Sequence, residues 1–362
     1  MSLTVEQRDL RDAVRGLIEK AEAGGSPWRR LCDEVGVPGL AIPERYGGAG
    51  AGLAEVCVVM AELGRNLTPA PMLGSAVLAA QAVLATDDDA ACERLLPAIA
   101  DGSVIAALAW TTQAGRWDST EFGCAARAAG SGWELDGEAH YVLDGTAADV
   151  LLVAASTPDG TGLFEVGPDA AGVARTAVTT MDATRDLAVV RLTGARGRRV
   201  GGDAAGALAF ARDQACVALA AEQAGAAQRA LELTVGHMLT RVQFGQVIGG
   251  FQALQHRAAD LYVLVESARS LSEAVALLPR GEDPPGSPHS SLAAAAKVYC
   301  SEVLTQAAAE MIQLHGAIGV TWEHQAHRYL KRAQGGRYLF GSPSTYLAAI
   351  AADLIDGEGV PG

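Results

Sequence analysis

Basic residues are in short supply. Lys and Arg number 28 against 42 Asp and Glu, a formal net charge of −14. Phosphate backbones need a basic face, so nucleic acid is excluded as the main partner. Aromatic residues are also few, at 5% of the chain, while alanine, the best helix former, is abundant throughout; a largely helical protein is expected. The six cysteines (Cys32, Cys57, Cys92, Cys124, Cys216, Cys300) are scattered with no C-x-x-C pair, which argues against a disulfide framework and for reduced thiols. No apolar run reaches membrane-spanning length, and the opening "MSLTVEQRDLRDAV" is charged and amphipathic, unlike a signal peptide. The expectation is a cytoplasmic protein without membrane contact. Internal repeats, low-complexity segments and Rossmann or P-loop signatures are all missing.

What is present divides into three regions. Residues 1–102 are expected to form a helical domain: Thr4 with Gln7 makes a capping box, and Leu10, Val14, Leu17 and Ile18 recur on one face. "GVPGLAIPERYGGAGAG" reads as a long loop, and "LAEVCVVMAELGRNL" and "MLGSAVLAAQAVLA" as further helices. Residues 103–202 change to short β-rich runs ("SVIAALAWTT", "GWELDGEAHYVLDG", "DVLLVAAS", "TGLFEVGP", "LAVVRLTG") parted by Gly, Asp and Pro turns, the pattern of an antiparallel barrel or sandwich. Residues 203–362 return to helix. A long first helix is apolar almost all round, as suits burial. A second starts near Phe251, a loop at 284–291 precedes a third, a fourth begins near Trp322, and a last one carries "TYLAAIAADLI". Long helices with short loops predict a four-helix bundle, so the fold class is α+β with three domains.

The stretch "RVQFGQVIGGFQALQH" (241–256) sets Arg241 at a helix end, then glycines, then a helix start. Arginine, turning backbone and free helix N–H groups together could hold a pyrophosphate. On local chemistry alone, an ordinary helix–helix loop with a capping arginine explains it better. The wider arrangement changes that judgement. Helices, β domain and bundle, with "IPERYGGAG", "AELGRNL", "RVQFGQVIGGFQALQHRAADLY" and "IQLHGAIGVTWEHQAHRYLKRA", resemble the acyl-CoA dehydrogenase family over nearly the whole chain.

The resemblance implies FAD at a dimer interface, an acyl-CoA substrate, a tetramer, and electron-transfer flavoprotein as the acceptor. It implies that a carboxylate removes the α proton while hydride leaves for the flavin, an oxidoreductase reaction of fatty-acid or sterol side-chain β-oxidation. Matched residue by residue, it puts Arg241 on the FAD pyrophosphate, with Gln313 and Gly316 approaching from another helix end. Phe244 would pack at the adenine side, Ile248, Phe251 and Gln252 would line the adenosine pocket, and Thr111 would contact the flavin.

The chain departs from the family at the catalytic centre. "YLFGSPS" puts Phe340 where the family's glutamate base stands, and the family's alternative base position falls on Ala215, beside Cys216. Asp213 and Glu222 are the remaining acids on that helix. A surface or capping acid and a bundle ion-pair partner are the simpler accounts of these two. In "TTQAGRWD" (111–118) Trp117 replaces a serine, and in "GEAHYVLDG" Tyr141 replaces a flavin-packing tryptophan. The half of the site that serves the neighbour thus looks intact and the chain's own half eroded. The pattern is similar to one member of the α2β2 heterotetramers formed by actinobacterial relatives. Other readings stay open: an active homotetramer with an unorthodox base, a flavin-dependent monooxygenase, or a CoA-binding scaffold. Glu323, His324 and His327 form no set with a third metal ligand, so no metal is expected.

Overall fold

A computed structural model describes residues 3–21, 27–117, 121–130, 132–278 and 288–356. The N-terminal helices are α1 (Val5–Ala21), α2 (Pro27–Val35), α3 (Leu53–Arg65), α4 (Ala80–Leu84) and α5 (Asp89–Ala100). The capping box forms as expected: the Thr4 N–H donates to Gln7 Oε1 at 3.1 Å and the Gln7 N–H to Thr4 Oγ1 at 3.2 Å. Val14, Leu17 and Ile18 are buried on one face of α1. The stretch Met72–Ala79 ahead of α4 winds as a π-helix. Gly74 in it lets the strand that ends at Leu143 pass close: a Cβ there would lie 2.4 Å from Asp144 Oδ2.

The middle region is a barrel built from β1 (Ala106–Ala109), β2 (Cys124–Ala129), β3 (Gly132–Leu143), β4 (Val150–Thr157), β5 (Gly160–Val166), β6 (Val173–Ala177) and β7 (Leu187–Val200). β4, β5, β7, β3 and β2 follow one another by antiparallel pairing, and a single parallel pairing of Ala125 with Ser156 returns β2 to β4. β1 lies parallel on β4, so the expected antiparallel domain carries two parallel contacts as well. Leu135, Leu151, Val153, Phe164, Val190 and Leu192 fill the barrel. Leu108, Leu152, Leu163 and Val200 face outward into the helical core. β2 and β6 were not among the expected strands. "CAARAA" carries the period of two, with Cys124 and Ala126 buried and Ala125 and Arg127 exposed, but alanine's small contrast hides it.

The C-terminal bundle comprises α6 (Ala205–Thr240), α7 (Gln252–Ala276), α8 (Pro288–His315), α9 (Ala326–Tyr338) and α10 (Pro343–Asp356). Residues 284–287 of the expected loop lie outside the described residues; from Pro288 the chain is helical, with proline at the position where its missing N–H costs nothing. α6 runs 36 residues through the centre, nearly all of its middle buried, as its apolar circumference predicts. Reciprocal glycines bring α3 and α6 together. A Cβ on Gly64 would lie 2.0 Å from Glu222 O, and one on Gly225 would lie 2.1 Å from Ala61 O. Among the described residues no helix is long and apolar enough to cross a membrane.

Candidate functional site

The link from α6 to α7 is not a plain loop. Val242–Gln243 (β8) pairs with Gln246–Val247 (β9) as a two-residue hairpin. Its central residues Phe244 and Gly245 have φ of 54° and 82°. Positive φ at both positions is the type I′ turn, which suits Gly but strains Phe by about 1–3 kcal/mol. Phe244 is 92% exposed, and its ring lies edge-to-face with Phe251, centroids 6.2 Å apart.

Arg241 is the first residue beyond α6. Its N–H still donates to His237 O at 2.9 Å, its backbone is already extended, and its side chain is exposed. Among the described residues no carboxylate pairs with it. Ile248–Gly250 form one 3₁₀ turn that closes back on α6, the Ile248 N–H donating to Arg241 O at 2.8 Å. α7 then begins at Gln252, its positive dipole end facing this turn. Ile248 and Phe251 are half-buried and Gln252 is exposed.

α8 ends beside this hairpin. Gln313 is exposed in its last turn, and Gly316 follows with φ of 65°. A Cβ on Gly316 would meet nothing within 4 Å, so within the chain only the left-handed backbone calls for glycine there, and the space is open to a ligand. The two helix ends are joined by imidazoles. His237 stacks on His315 at 4.3 Å and 26°, and His315 lies 4.4 Å from His324. The stack brings the end of α6, four residues before Arg241, against the end of α8, one residue before Gly316. Sequence reasoning singled out His324 and missed His237 and His315, because a stack contributed by three separate segments leaves no spacing signal.

The surroundings of Phe340 are built differently. Phe340 is 1% exposed with φ of 62°, its ring edge-on to Trp117 at 5.0 Å, and Trp117 in turn edge-on to Trp110 at 5.9 Å. The turn that carries Phe340 is pinned from behind. Lys297 Nζ donates to Arg337 O at 2.5 Å and Gly341 O at 2.8 Å, and Tyr346 Oη donates to Phe340 O at 2.5 Å. Burial lowers the Lys297 ammonium to about 8 and raises the Cys216 thiol to about 11. Cys216 is thus a thiol at neutral pH and no nucleophile. Ala215 is fully buried. Neither position supplies a base.

The two acids on α6 are already engaged. Asp213 pairs with its neighbour Arg212 at 3.2 Å, with 14% of its side chain exposed, so it is an enclosed ion-pair acid rather than a solvated one. Glu222 accepts two hydrogen bonds from Arg185, at 2.7 and 2.9 Å. Arg332 Nε also lies 3.1 Å from it, without hydrogen-bond alignment. Asp182 completes this buried network at 3.3 Å from Arg332.

A cavity of about 480 Å³ opens beside Trp117, lined by Gly115, Tyr141, Thr180, Asp182, Tyr338 and Ser342 among others. Tyr141, expected at the flavin-packing position, borders this cavity. Thr111 does not: it is 1% exposed and its hydroxyl donates to His140 O at 2.5 Å. The Thr111 hydroxyl, assigned to the flavin on the sequence, is bonded within the isolated bridge that pairs Thr111 with His140 of β3. Asp118 at the end of that motif lies outside the described residues. Among the described residues no group of His, Cys, Asp and Glu is arranged to hold a metal ion.

Comparison with known proteins gives consistent matches. Residues 4–103 match the family model "Acyl-CoA dehydrogenase, N-terminal domain", and residues 206–355 match "Acyl-CoA dehydrogenase, C-terminal domain". "Acyl-CoA dehydrogenase IpdE2" of Mycobacterium tuberculosis is 39% identical over 91% of this chain and 86% of its own length. The protein of the same name from Mycolicibacterium smegmatis is 37% identical over 97% and 95%. Among solved structures, "Tcur3481-Tcur3483 steroid ACAD G363A variant" aligns with a TM-score of 0.83 at 32% identity, over 97% of this chain and 98% of that one. The ChsE4-ChsE5 complex of Mycobacterium tuberculosis aligns with a TM-score of 0.87 at 28% identity, over 100% and 99%.

Proposed function

The chain belongs to the acyl-CoA dehydrogenase family, and on that premise we propose that it is the base-lacking subunit of a mixed oligomer, completing a flavin site whose catalytic carboxylate a partner subunit carries. It is an oxidoreductase-family flavoprotein whose cofactor is FAD. The observation that carries the proposal is the buried Phe340–Trp117 pair standing where the family's base acts. A phenyl ring accepts no proton, and the two acids on α6, Asp213 and Glu222, are held in ion pairs.

The hairpin side fits the cofactor's phosphates. Arg241 offers a planar fork with no internal carboxylate partner, suited to two phosphate oxygens. Gly316 leaves the backbone bare to a ligand, and Gln313 is free to donate beside it. Phe244, Ile248, Phe251 and Gln252 would then enclose the adenosine, the otherwise strained Phe244 ring covering it. Bound FAD supplies the hydride acceptor; this chain's residues bind and orient it and exclude water from its phosphates. The partner's carboxylate would take the α proton of the acyl-CoA. The solved Tcur3481-Tcur3483 steroid ACAD and the ChsE4-ChsE5 complex support a hetero-oligomer, and make a steroid-derived CoA thioester the first substrate to try. Electron-transfer flavoprotein as acceptor and a cytoplasmic location complete the proposal.

A second reading rests on the 480 Å³ cavity, which leaves room beside Tyr141 for a ring system of the chain's own. One experiment separates the two. The chain is purified alone and after co-expression with its genomic neighbour, and flavin content, mass and acyl-CoA-dependent dye reduction are measured. The base-lacking subunit gives little FAD and little turnover alone, and both with the partner. A yellow homotetramer with stoichiometric FAD and robust turnover would overturn the proposal.

A further inference from the structure

We propose that the stacked pair His237–His315 belongs to the cofactor-phosphate site and takes up one proton from solvent when the FAD pyrophosphate settles beside Arg241. This rests on the reading of Arg241 as the pyrophosphate ligand, and adds to it a proton linkage with its own residues.

The geometry selects which imidazoles can charge. His324 Nδ1 accepts the Ala326 N–H at 3.1 Å at the start of α9. It serves that helix only while unprotonated at Nδ1, and a cation at a helix N-terminus is unfavourable. His324 therefore stays neutral. His237 and His315 sit in the last turns of α6 and α8, where the helix dipoles favour a cation. His315 is 7% exposed, and its Nδ1 lies 2.7 Å from Met311 O, a carbonyl that can only accept, so Nδ1 carries the proton and Nε2 is the site that titrates. Stacked at 4.3 Å, the two rings admit one added proton between them, because a second would repel the first.

Burial and the neighbouring cations work against protonation in the chain alone. Burial lowers His237 and His315; Arg241 adds to it at His237, while at His315 the hydrogen bond to Met311 O works the other way and a charge on His237 works with burial. His324 is lowered by burial, then by His315 and His327. Lys331 packs over Trp322, which itself contacts His327, and Glu323 is exposed. A pyrophosphate on Arg241 reverses this balance. It cancels the guanidinium charge four residues from His237 and brings two negative charges to the flank of the stack. The proton-bound state is then favoured to a higher pH than in the free protein, so FAD binds more tightly as pH falls toward 6.

The test uses the oligomer as purified. FAD dissociation constants are measured by flavin fluorescence between pH 6 and 8, and calorimetry at pH 6.5 in two buffers of different ionisation heat reads protons taken up. The wild type is expected to tighten roughly five- to tenfold from pH 8 to pH 6, a tenfold linkage corresponding to one pKa unit, with proton uptake above zero. His237→Phe keeps the stack without a titrating group, and His315→Asn keeps an N–H for Met311 O. Each single variant should shift the midpoint of the pH profile and the double variant should flatten it and abolish uptake, whereas a merely structural role would shift affinity equally at all pH. A flat wild-type profile without uptake overturns the inference, as does a double variant that retains both. Arg241→Ala separates the two layers. If it weakens FAD while the wild type takes up no proton, only the linkage fails; if it leaves affinity unchanged, the phosphate site itself is misplaced.

Discussion

Arg241 and Phe340 are the residues on which the functional reading turns, one for what it offers and one for what it cannot do. A hydrogen bond to a charged group is worth about 1.5–3 kcal/mol, so Arg241→Ala should weaken FAD binding by roughly one to two orders of magnitude. Lysine there restores charge without the fork and should give an intermediate affinity. The melting temperature without FAD should barely move, because the side chain is exposed. Both are read by fluorescence titration and thermal unfolding. Lys297 calls for the opposite outcome. It is fully buried and holds two carbonyls of the turn that carries Phe340. Lys297→Met strands both acceptors and should cost about 2–4 kcal/mol, visible as a lower denaturation midpoint. The "YLFGSPS" register puts Phe340 at the family's glutamate position by resemblance. Its partner Trp117 was noted only as a lost serine, and the edge-on contact between the two rings could not be seen until 223 residues of chain (340 − 117) had been folded back.

At the scale of elements, strong periods were legible and weak ones were not. α1 and α6 follow from their apolar positions and caps. β2 was hidden because alanine gives little contrast between its buried and exposed faces. The β8–β9 hairpin was read as a loop because Phe-Gly lacks the Asn-Gly or Asp-Gly signal of a type I′ turn. That irregularity makes a prediction. Phe244→Asn puts a residue that accepts positive φ at the first turn position and removes an exposed ring. The FAD-free protein should gain about 1 kcal/mol, while FAD affinity falls because the adenine side loses its cover. Calorimetric unfolding and flavin titration on the same variant would show both effects. A gain in stability without a loss in affinity would remove Phe244 from the cofactor site.

At the scale of the whole molecule, the three regions are tied by buried charge as well as apolar packing. The turn after β3 pushes Asp144 against Gly74 of the π-helix, and burial raises its carboxyl to about 7. An unfolded aspartate titrates near 3.9, so between about pH 4 and pH 7 the folded protein holds the proton that the unfolded chain has lost. Stability therefore falls as pH rises through that window and levels above it. Asp144→Asn should remove this slope, with a gain of about 1–3 kcal/mol above pH 7 and almost none at pH 4, measured by urea unfolding across pH. The sequence could place Asp144 in a turn, but not against a helix some 70 residues earlier (144 − 74).

One element reaches across all of these. From Ala215, beside the aromatic-filled centre, to Arg241 at the hairpin, α6 advances 26 residues (241 − 215), about 39 Å at 1.5 Å per residue. On the proposed function, a single rod then has its flank beside a centre without a base and its tip at the cofactor phosphates. Loosening its seating around Cys216 and Tyr346 swings the tip, and at that leverage a tilt of a few degrees moves Arg241 by an ångström or more. The interior that has lost its chemistry is thus still held to tolerance by the work done at the far end.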